Sequence, residues 1–354
     1  MNAFRFLLYP FALLYGLVTW VRNLLFDFKI LRSEKFDIPV ISVGNLIAGG
    51  SGKTPMVEYI IRLINNNAGI ATLSRGYKRK TKGYRLAGEN ETVESLGDES
   101  LQYYQKFSGL NIAVCESRRQ GITQLLHDIP SLQAIILDDA FQHRYVSPKL
   151  SILVTDYFKL FTRDKLLPYG RLREHISGRK RADVIVVTKT PRIFSPIVRK
   201  QILEEIKPYP GQLVCFSYIR YLPFEPVYKN VSDAEGDTEN AYTIIMLTGI
   251  GNPGPLQEYL RRKCTDLELM EFGDHHTFSS KDLLMLKDKF KYLPTKRKII
   301  VTTEKDAKRL QNPEAEEILG NLPVYYAPIS FDFHPPDKIL FDKALLSKVK
   351  LNKA

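Results

Sequence analysis

From Val40 the chain runs through a short apolar strand, Val40-Ile-Ser-Val43, into Gly44-Asn-Leu-Ile-Ala-Gly-Gly-Ser-Gly-Lys-Thr54, and then repeats Val57, Ile60, Ile61 and Ile64 at helical spacing. Strand, glycine turn and helix in that order imply a parallel sheet whose strand ends deliver helix N-termini to one edge. Glycines at 49, 50 and 52 let backbone N–H groups curl around phosphate oxygens, and the following helix adds its positive end. In this pattern the residues from Ile47, Ala48, Gly49, Gly50, Ser51 and Gly52 to Lys53 and Thr54 form the phosphate cradle. Lys53 reaches the terminal phosphates, Thr54 takes Mg²⁺, and Pro55 falls where a helix needs no N–H. Ile47 stands where G-x-x-x-x-G-K-[ST] begins with glycine, and the Gly49-Gly50 pair replaces that flexibility. A chance glycine turn is the competing reading, disfavoured by the elements on either side.

The rest of the chain extends the same logic. Strands are expected at Val40–Val43, Ile70–Leu73, Ile112–Cys115, Ala134–Leu137, Ser151–Val154 and Val184–Val187, with helical stretches between them. Residues 220–241 turn polar and irregular, the composition of an interdomain linker. Further strands at Ile244–Leu247, Ile299–Thr302 and Val324–Ala327 follow. The expected fold is therefore α/β: a P-loop-type parallel sheet sandwiched by helices over 29–222, and a second, smaller α/β domain over 223–354. An N-terminal membrane-associated helix over 1–28 precedes both.

That first segment is set apart by its composition. Phe6 to Val21 is apolar, broken by Pro10 and Gly16 and flanked by Arg5 and Arg22, and it falls short of the ~20 residues that cross a bilayer. Tyr9, Tyr15 and Trp20 suit a headgroup boundary, so an interfacial or tilted anchor is expected, with a buried helix and a secretory signal as alternatives. A formal charge of +12 favours anionic partners without choosing among nucleotide, nucleic acid and lipid. Three widely spaced cysteines lack metal-ligand spacing and fit buried thiols in a reducing compartment.

Candidate chemistry clusters at the expected strand ends. Ala134-Ile-Ile-Leu-Asp138-Asp139 is an apolar strand ending in carboxylates, the form that holds Mg²⁺ beside a phosphate loop, with Asp138 assigned to the metal. A turn or cap role is the plainer alternative. Gln142, His143 and Arg144 follow, offering a metal-water ligand and phosphate contacts. Asp98 in Gly97-Asp-Glu-Ser100 reads either as a helix N-cap or as the carboxylate that takes a hydroxyl proton. Asp274-His-His276 could pair with such a base; zinc is disfavoured because no second His or Cys pair accompanies it. Arg75, Arg118, Arg119, Arg171, Arg173 and Arg179-Lys-Arg181 recur near strand ends, where they neutralise phosphate or lie on solvated faces.

Collectively these stretches resemble the tetraacyldisaccharide 4'-kinases, which phosphorylate the lipid A precursor of Gram-negative bacteria. The matching residues are Val43-Gly-Asn45 with Gly49-Gly-Ser-Gly-Lys-Thr-Pro55, Leu73-Ser-Arg-Gly-Tyr77, Gly97-Asp-Glu99 and Asp138-Asp-Ala-Phe-Gln-His-Arg144. Downstream come Leu167-Pro168 with Leu172-Arg-Glu174, Thr248-Gly-Ile250 with Asn252-Pro253, Asp274-His-His276 and Val301-Thr-Thr-Glu-Lys-Asp306. The resemblance implies ATP and Mg²⁺ as cofactors and the 4'-hydroxyl of a tetraacyldisaccharide 1-phosphate as acceptor. It also implies the cytoplasmic face of the inner membrane as the location, with neither nucleic acid nor an obligate protein partner. It makes Asp98 the catalytic base and His275 its partner, and it places Lys53, Thr54, Asp138 and Gln142 in the nucleotide and metal shell. Arg173 and Glu174 are implied near the phosphates, while Arg75, Arg118, Arg119, Asp139 and His143 are candidates to bind substrate. Arg171 and His175 stand where many members carry proline.

Two rivals are weighed against this. A membrane GTPase would carry Asn-Lys-x-Asp after a strand, and the nearest stretch, Val187-Thr-Lys-Thr190, lacks both Asn and Asp. A nucleic-acid-binding ATPase rests on net charge alone, without a recognisable module.

Overall fold

A computed structural model describes residues 7–64, 69–228, 243–274 and 276–349. In chain order the first unit contains α1 (Tyr9–Asp27), β1 (Val40–Gly44), α2 (Lys53–Ile64), β2 (Ile70–Ser74), β3 (Arg85–Leu86), α3 (Val93–Leu96) and α4 (Asp98–Lys106). There follow β4 (Asn111–Val114), α5 (Arg118–Asp128), β5 (Ala134–Asp138), β6 (Leu150–Asp156), β7 (Val184–Thr188), α6 (Pro196–Ile206) and β8 (Leu213–Tyr221). The second unit holds β9 (Glu225–Pro226), β10 (Thr243–Thr248), α7 (Gly254–Arg261), β11 (Asp266–Glu271), α8 (Ser280–Tyr292), β12 (Lys298–Thr303), α9 (Glu304–Leu310), α10 (Pro313–Leu319) and β13 (Val324–Ala327). The chain ends with β14 (Ile329–Phe333) and α11 (Asp337–Lys348).

The larger sheet has nine strands in the order β14-β8-β7-β6-β1-β5-β2-β4-β3. Strand β1 lies between β5 and β6, parallel to both, with Val43 opposite Asp138 on one side and Ile152 on the other. Because successive strand residues face opposite ways, Ile41, Val43 and Ile136 meet Met56, Ile60 and Ile61 of α2 on one face. Ile135 and Leu137 meet Ile122 and Leu125 of α5 on the other. Both faces are covered, which is why these strands read as unbroken apolar runs.

The chain divides at Arg220, and residues from Phe331 onward belong to the first unit rather than to the smaller one. This corrects the assignment of 223–354 to a single domain. Phe331, Phe333, Phe341, Leu345 and Val349 share a core with α2 and β1, and that apolar surface draws the C-terminus back. The second unit, Arg220–Ser330, carries a sheet in the order β11-β10-β12-β13-β9. Ile245, Leu247 and Ile300 pack on α8, α9 and α10, while Ile244, Met246 and Val301 pack on α7. Most of the expected linker, residues 229–241, lies outside the described residues.

Helix α1 forms where the apolar run predicts, with Pro10 in its first turn. Among the described residues no helix is long and apolar enough to cross a membrane.

Candidate active site at the carboxyl ends of the central strands

The glycine loop follows β1 directly, and β5 beside it ends in Asp138, so loop and carboxylate leave the sheet as neighbours. Gly49 and Gly52 take positive φ (116° and 88°), a conformation that side chains disfavour. The loop's first half is built differently from its second. Ile47 bridges Leu172, the Ala48 N–H donates to the Arg171 carbonyl, and Arg173 N–H donates to Leu46. With its N–H committed and the Ile47 side chain buried beside Phe141 and Leu172, this half serves as an anchor, which accounts for isoleucine in place of glycine. Asn45 completes the brace by donating its amide to Ile47 O and, at 2.9 Å, to Ser51 Oγ. In the second half the Ser51 N–H donates to Gly49 O at 3.0 Å, and α2 opens directly after it, where the first helical N–H groups lack helical partners.

Lys53, the first residue of α2, lies 3.5 Å from Asp139, and Arg173 grips both oxygens of Asp139 at 2.8 and 2.9 Å. Burial works to raise the Asp139 pKa, but the two cations outweigh it and hold the carboxyl below its ordinary value. Asp139 also adopts a left-handed φ of 48°, which turns it away from the line of β5. Asp138 points into the interior. Tyr103 Oη donates to its Oδ2 at 2.9 Å, whereas Oδ1 is buried without a hydrogen-bond partner among the described residues. Burial pushes its pKa up to about 6, against the pull of Lys53. An orphaned buried carboxylate oxygen within reach of the Lys53 charge suits a cation. Mg²⁺ commonly takes only one or two protein oxygens and completes its shell with phosphates and water. No cluster of three His, Cys, Asp or Glu suited to a metal occurs among the described residues.

Helix α4 closes the other side. Gly97, not Asp98, is its N-cap, so Asp98 opens the helix half-buried. The Ser74 and Ser100 hydroxyls meet at 2.7 Å and dock α4 on the end of β2. One turn on, Tyr103 reaches Asp138, and the negative charge of Glu99 bears on both of those groups. Asp98 and Asp138 therefore belong to one connected frame.

Other expected site residues differ in their surroundings. Arg118 is buried, donating to Cys115 O at 2.8 Å and Asp138 O at 3.1 Å, so it clamps the end of β5 rather than meeting a substrate. Arg119 faces solvent beside Glu34. Glu174 is buried and accepts from Asn23, Gln142 and Arg181. Gln142 spends its amide N–H groups on Asn45 O and Glu174. Burial, aided by Arg118, drives the His143 pKa down to about 4, so its ring is neutral at pH 7. Arg75 is exposed near His143 and Arg118. His275 lies outside the described residues; its neighbour His276 stacks on Phe272 and meets Asp282 at 3.0 Å.

Comparison with known proteins decides the family. Residues 4–350 match the family model described as tetraacyldisaccharide-1-P 4'-kinase. The chain belongs to that family. Curated relatives named tetraacyldisaccharide 4'-kinase include one from Flavobacterium johnsoniae, 45% identical over 99% of each chain. Another, from Bacteroides thetaiotaomicron, is 43% identical over 98% of this chain and 93% of its own length. A crystal structure of LpxK from Aquifex aeolicus in complex with ATP aligns with a TM-score of 0.72 at 28% identity, over 98% of this chain and 99% of that one. The α/β fold and the kinase assignment expected from the motifs are thereby established.

Tyr103 and Asn45 were not among the residues singled out from sequence. A tyrosine inside a helical pattern resembles core, and nothing local indicates that its hydroxyl meets a carboxylate 35 residues away in sequence. Asn45 lay inside the matching stretch, but its brace depends on the loop's three-dimensional turn.

Proposed function

We propose that this kinase transfers the γ-phosphoryl group of ATP to the 4'-hydroxyl of a tetraacyldisaccharide 1-phosphate at a membrane surface. The supporting observation is the convergence of Lys53, Asp138 and Asp139 at adjoining strand ends, with α4 tied to the same group through Tyr103. Asp98 takes the hydroxyl proton as the alcohol oxygen bonds to phosphorus and the bond to the departing ADP breaks. Lys53 holds the phosphates in line, and Arg173, poised on Asp139, adds positive charge beside them. Asp138 and Thr54 are the residues that would hold Mg²⁺, which when bound neutralises charge building on the phosphates. His275 is proposed as the partner of Asp98.

Helix α1 exposes Phe11, Leu14, Leu17, Val18 and Trp20 together, a surface suited to the headgroup boundary of the inner membrane's cytoplasmic face. A substrate with four acyl chains stays in the bilayer, so a docked enzyme finds it without extracting it.

Purified protein incubated with labelled ATP, Mg²⁺ and detergent-dispersed tetraacyldisaccharide 1-phosphate should yield labelled lipid. Folded, ATP-binding protein that gives none would overturn the assignment. Asp98→Ala should lower turnover by ~10² or more with ATP affinity nearly unchanged.

A further inference from the structure

Lys53 and Asp98 each open a helix, α2 and α4, and one buried carboxylate ties those two helices together. Glu58 of α2 is only 3% exposed. Its Oε1 accepts the Gln102 amide of α4 at 2.8 Å, while its Oε2 accepts Lys106 of α4 at 2.8 Å and Arg62 of its own helix at 3.1 Å. A carboxylate taken out of water needs both opposite charge and hydrogen-bond donors around it. Here two cations supply the charge, and the buried Gln102 amide adds a directional bond from the facing helix.

Spacing along the helices gives this tie its consequence. Thr54, Glu58 and Arg62 recur every four residues on α2, as do Asp98, Gln102 and Lys106 on α4, so each trio forms one stripe. Both helices start at carboxyl ends of the larger sheet, α2 after β1 and α4 where Ser100 meets Ser74 at the end of β2. The bonded pair Glu58–Gln102 therefore lies one turn, about 6 Å, in from Thr54 and from Asp98. The helices are held in different ways. Helix α2 buries Met56, Val57, Ile60, Ile61 and Ile64 in an apolar core. Helix α4 has nine residues, and of the four it buries, three dock by hydrogen bonds: Ser100 on Ser74, Tyr103 on Asp138 and Gln102 on Glu58. Such bonds are directional, so three of them on β2, β5 and α2 fix both the rotation and the height of α4. If the Glu58 bond is cut, α4 is the element that shifts.

We propose that Glu58 is a positioning residue for phosphoryl transfer: by holding Gln102 it keeps Asp98, at the head of α4, in register with Lys53 and Thr54 at the head of α2. The distance between a base and the phosphate it serves is then set one turn below the chemistry, in a part of the molecule that touches neither ligand. This role rests on the reading of Asp98 as the base.

The test measures kcat, the KM for lipid and ATP affinity of the full chain with Mg²⁺. Asp98→Ala examines the base reading by itself; wild-type turnover in that variant would end that reading, and this proposal with it. Glu58→Ala should lower kcat ~10-fold or more, with ATP affinity and the KM for lipid within about twofold of wild type. Glu58→Gln, which keeps an oxygen for the Gln102 amide, should recover most of the loss. In an Asp98→Ala background the further cost of Glu58→Ala should shrink to about twofold or less, because no base remains to be placed. Losses that multiply in the double variant, or an ATP affinity that falls as far as kcat does, would make Glu58 a general support of the fold or of the phosphate loop and overturn the proposal. If Glu58→Ala fails to fold, Gln102→Met carries the same comparison, since it cuts the bond from the α4 side and leaves Glu58 neutralised by Lys106 and Arg62. A kcat at the wild-type level in Gln102→Met overturns the proposal.

Discussion

Asp138 and Asp139 are adjacent in sequence yet opposite in character. Asp139 turns out on a left-handed residue to two cations, whereas Asp138 stays in line with its strand and is buried with one oxygen on Tyr103. The Asp pair was legible because an apolar strand ending in carboxylates is a local pattern. The division of labour was not, because it depends on one backbone angle and a tyrosine from another helix. Removing the Tyr103 hydroxyl with Tyr103→Phe should raise the Mg²⁺ concentration needed for half-maximal activity by ~10-fold or more, leaving the KM for lipid near wild type; a Mg²⁺ titration of initial rates measures it. The raised pKa of Asp138 has a consequence for stability in EDTA without nucleotide. Below the ordinary carboxyl range the group is protonated whether folded or unfolded, and its contribution to stability is fully present. That contribution is lost as the pH rises through about 6, where the buried carboxylate ionises. Asp138→Asn removes the penalty, so thermal melting should show the variant ahead of wild type at pH 8, with the gap closing toward pH 4.

Helix α1 is more than an apolar appendage to the catalytic unit. Tyr15 donates to Arg173 O at 2.6 Å, Arg22 to Gln142 O at 3.0 Å and Asn23 to Glu174 at 2.9 Å, while Arg144 returns bonds to Asn23 and Asp27. Gly16 lies tight against Leu166, where a β-carbon would come within 2.7 Å. The sequence marks this helix by its apolar run, but the polar residues that dock it are spread among that run and find partners more than 100 positions away. Strand β11 escaped notice because it alternates acidic and apolar residues at a sheet edge, so it lacks the buried-strand signature. Two faces of α1 should separate experimentally. Phe11→Glu with Leu17→Glu should abolish sedimentation with anionic vesicles while activity on detergent-dispersed substrate persists. Asn23→Ala should instead lower turnover severalfold with vesicle binding intact, because it loosens the Glu174 and Gln142 scaffold under Arg173.

At the scale of the molecule, the alternation of strands and helices announces two α/β units, but the return of the C-terminus to the first cannot be read from local pattern. Helix α11 carries an ordinary mixture of apolar and charged residues, and its destination is set by surfaces distant in sequence. One polar contact fixes that destination. Asp337 is fully buried at the start of α11, where it accepts both Arg199 nitrogens at 2.7 and 2.6 Å and the Phe216 N–H at 2.9 Å. Arg199 belongs to α6 and Phe216 to β8, so a single carboxylate joins three elements, and Tyr59 of α2 adds a bond to Asp342 at 2.7 Å. Asp337→Ala would strand the guanidinium over the Phe216 ring and leave a buried N–H unpaired, a loss of about 3–5 kcal/mol. Since α11 packs on the helix that begins with Lys53, the damage should reach the nucleotide site. In urea, binding of a fluorescent ATP analogue should fail at clearly lower denaturant in Asp337→Ala than in wild type, with Asp337→Asn between them. An unchanged midpoint in Asp337→Ala would show that the apolar surface of α11 holds the C-terminus without this carboxylate.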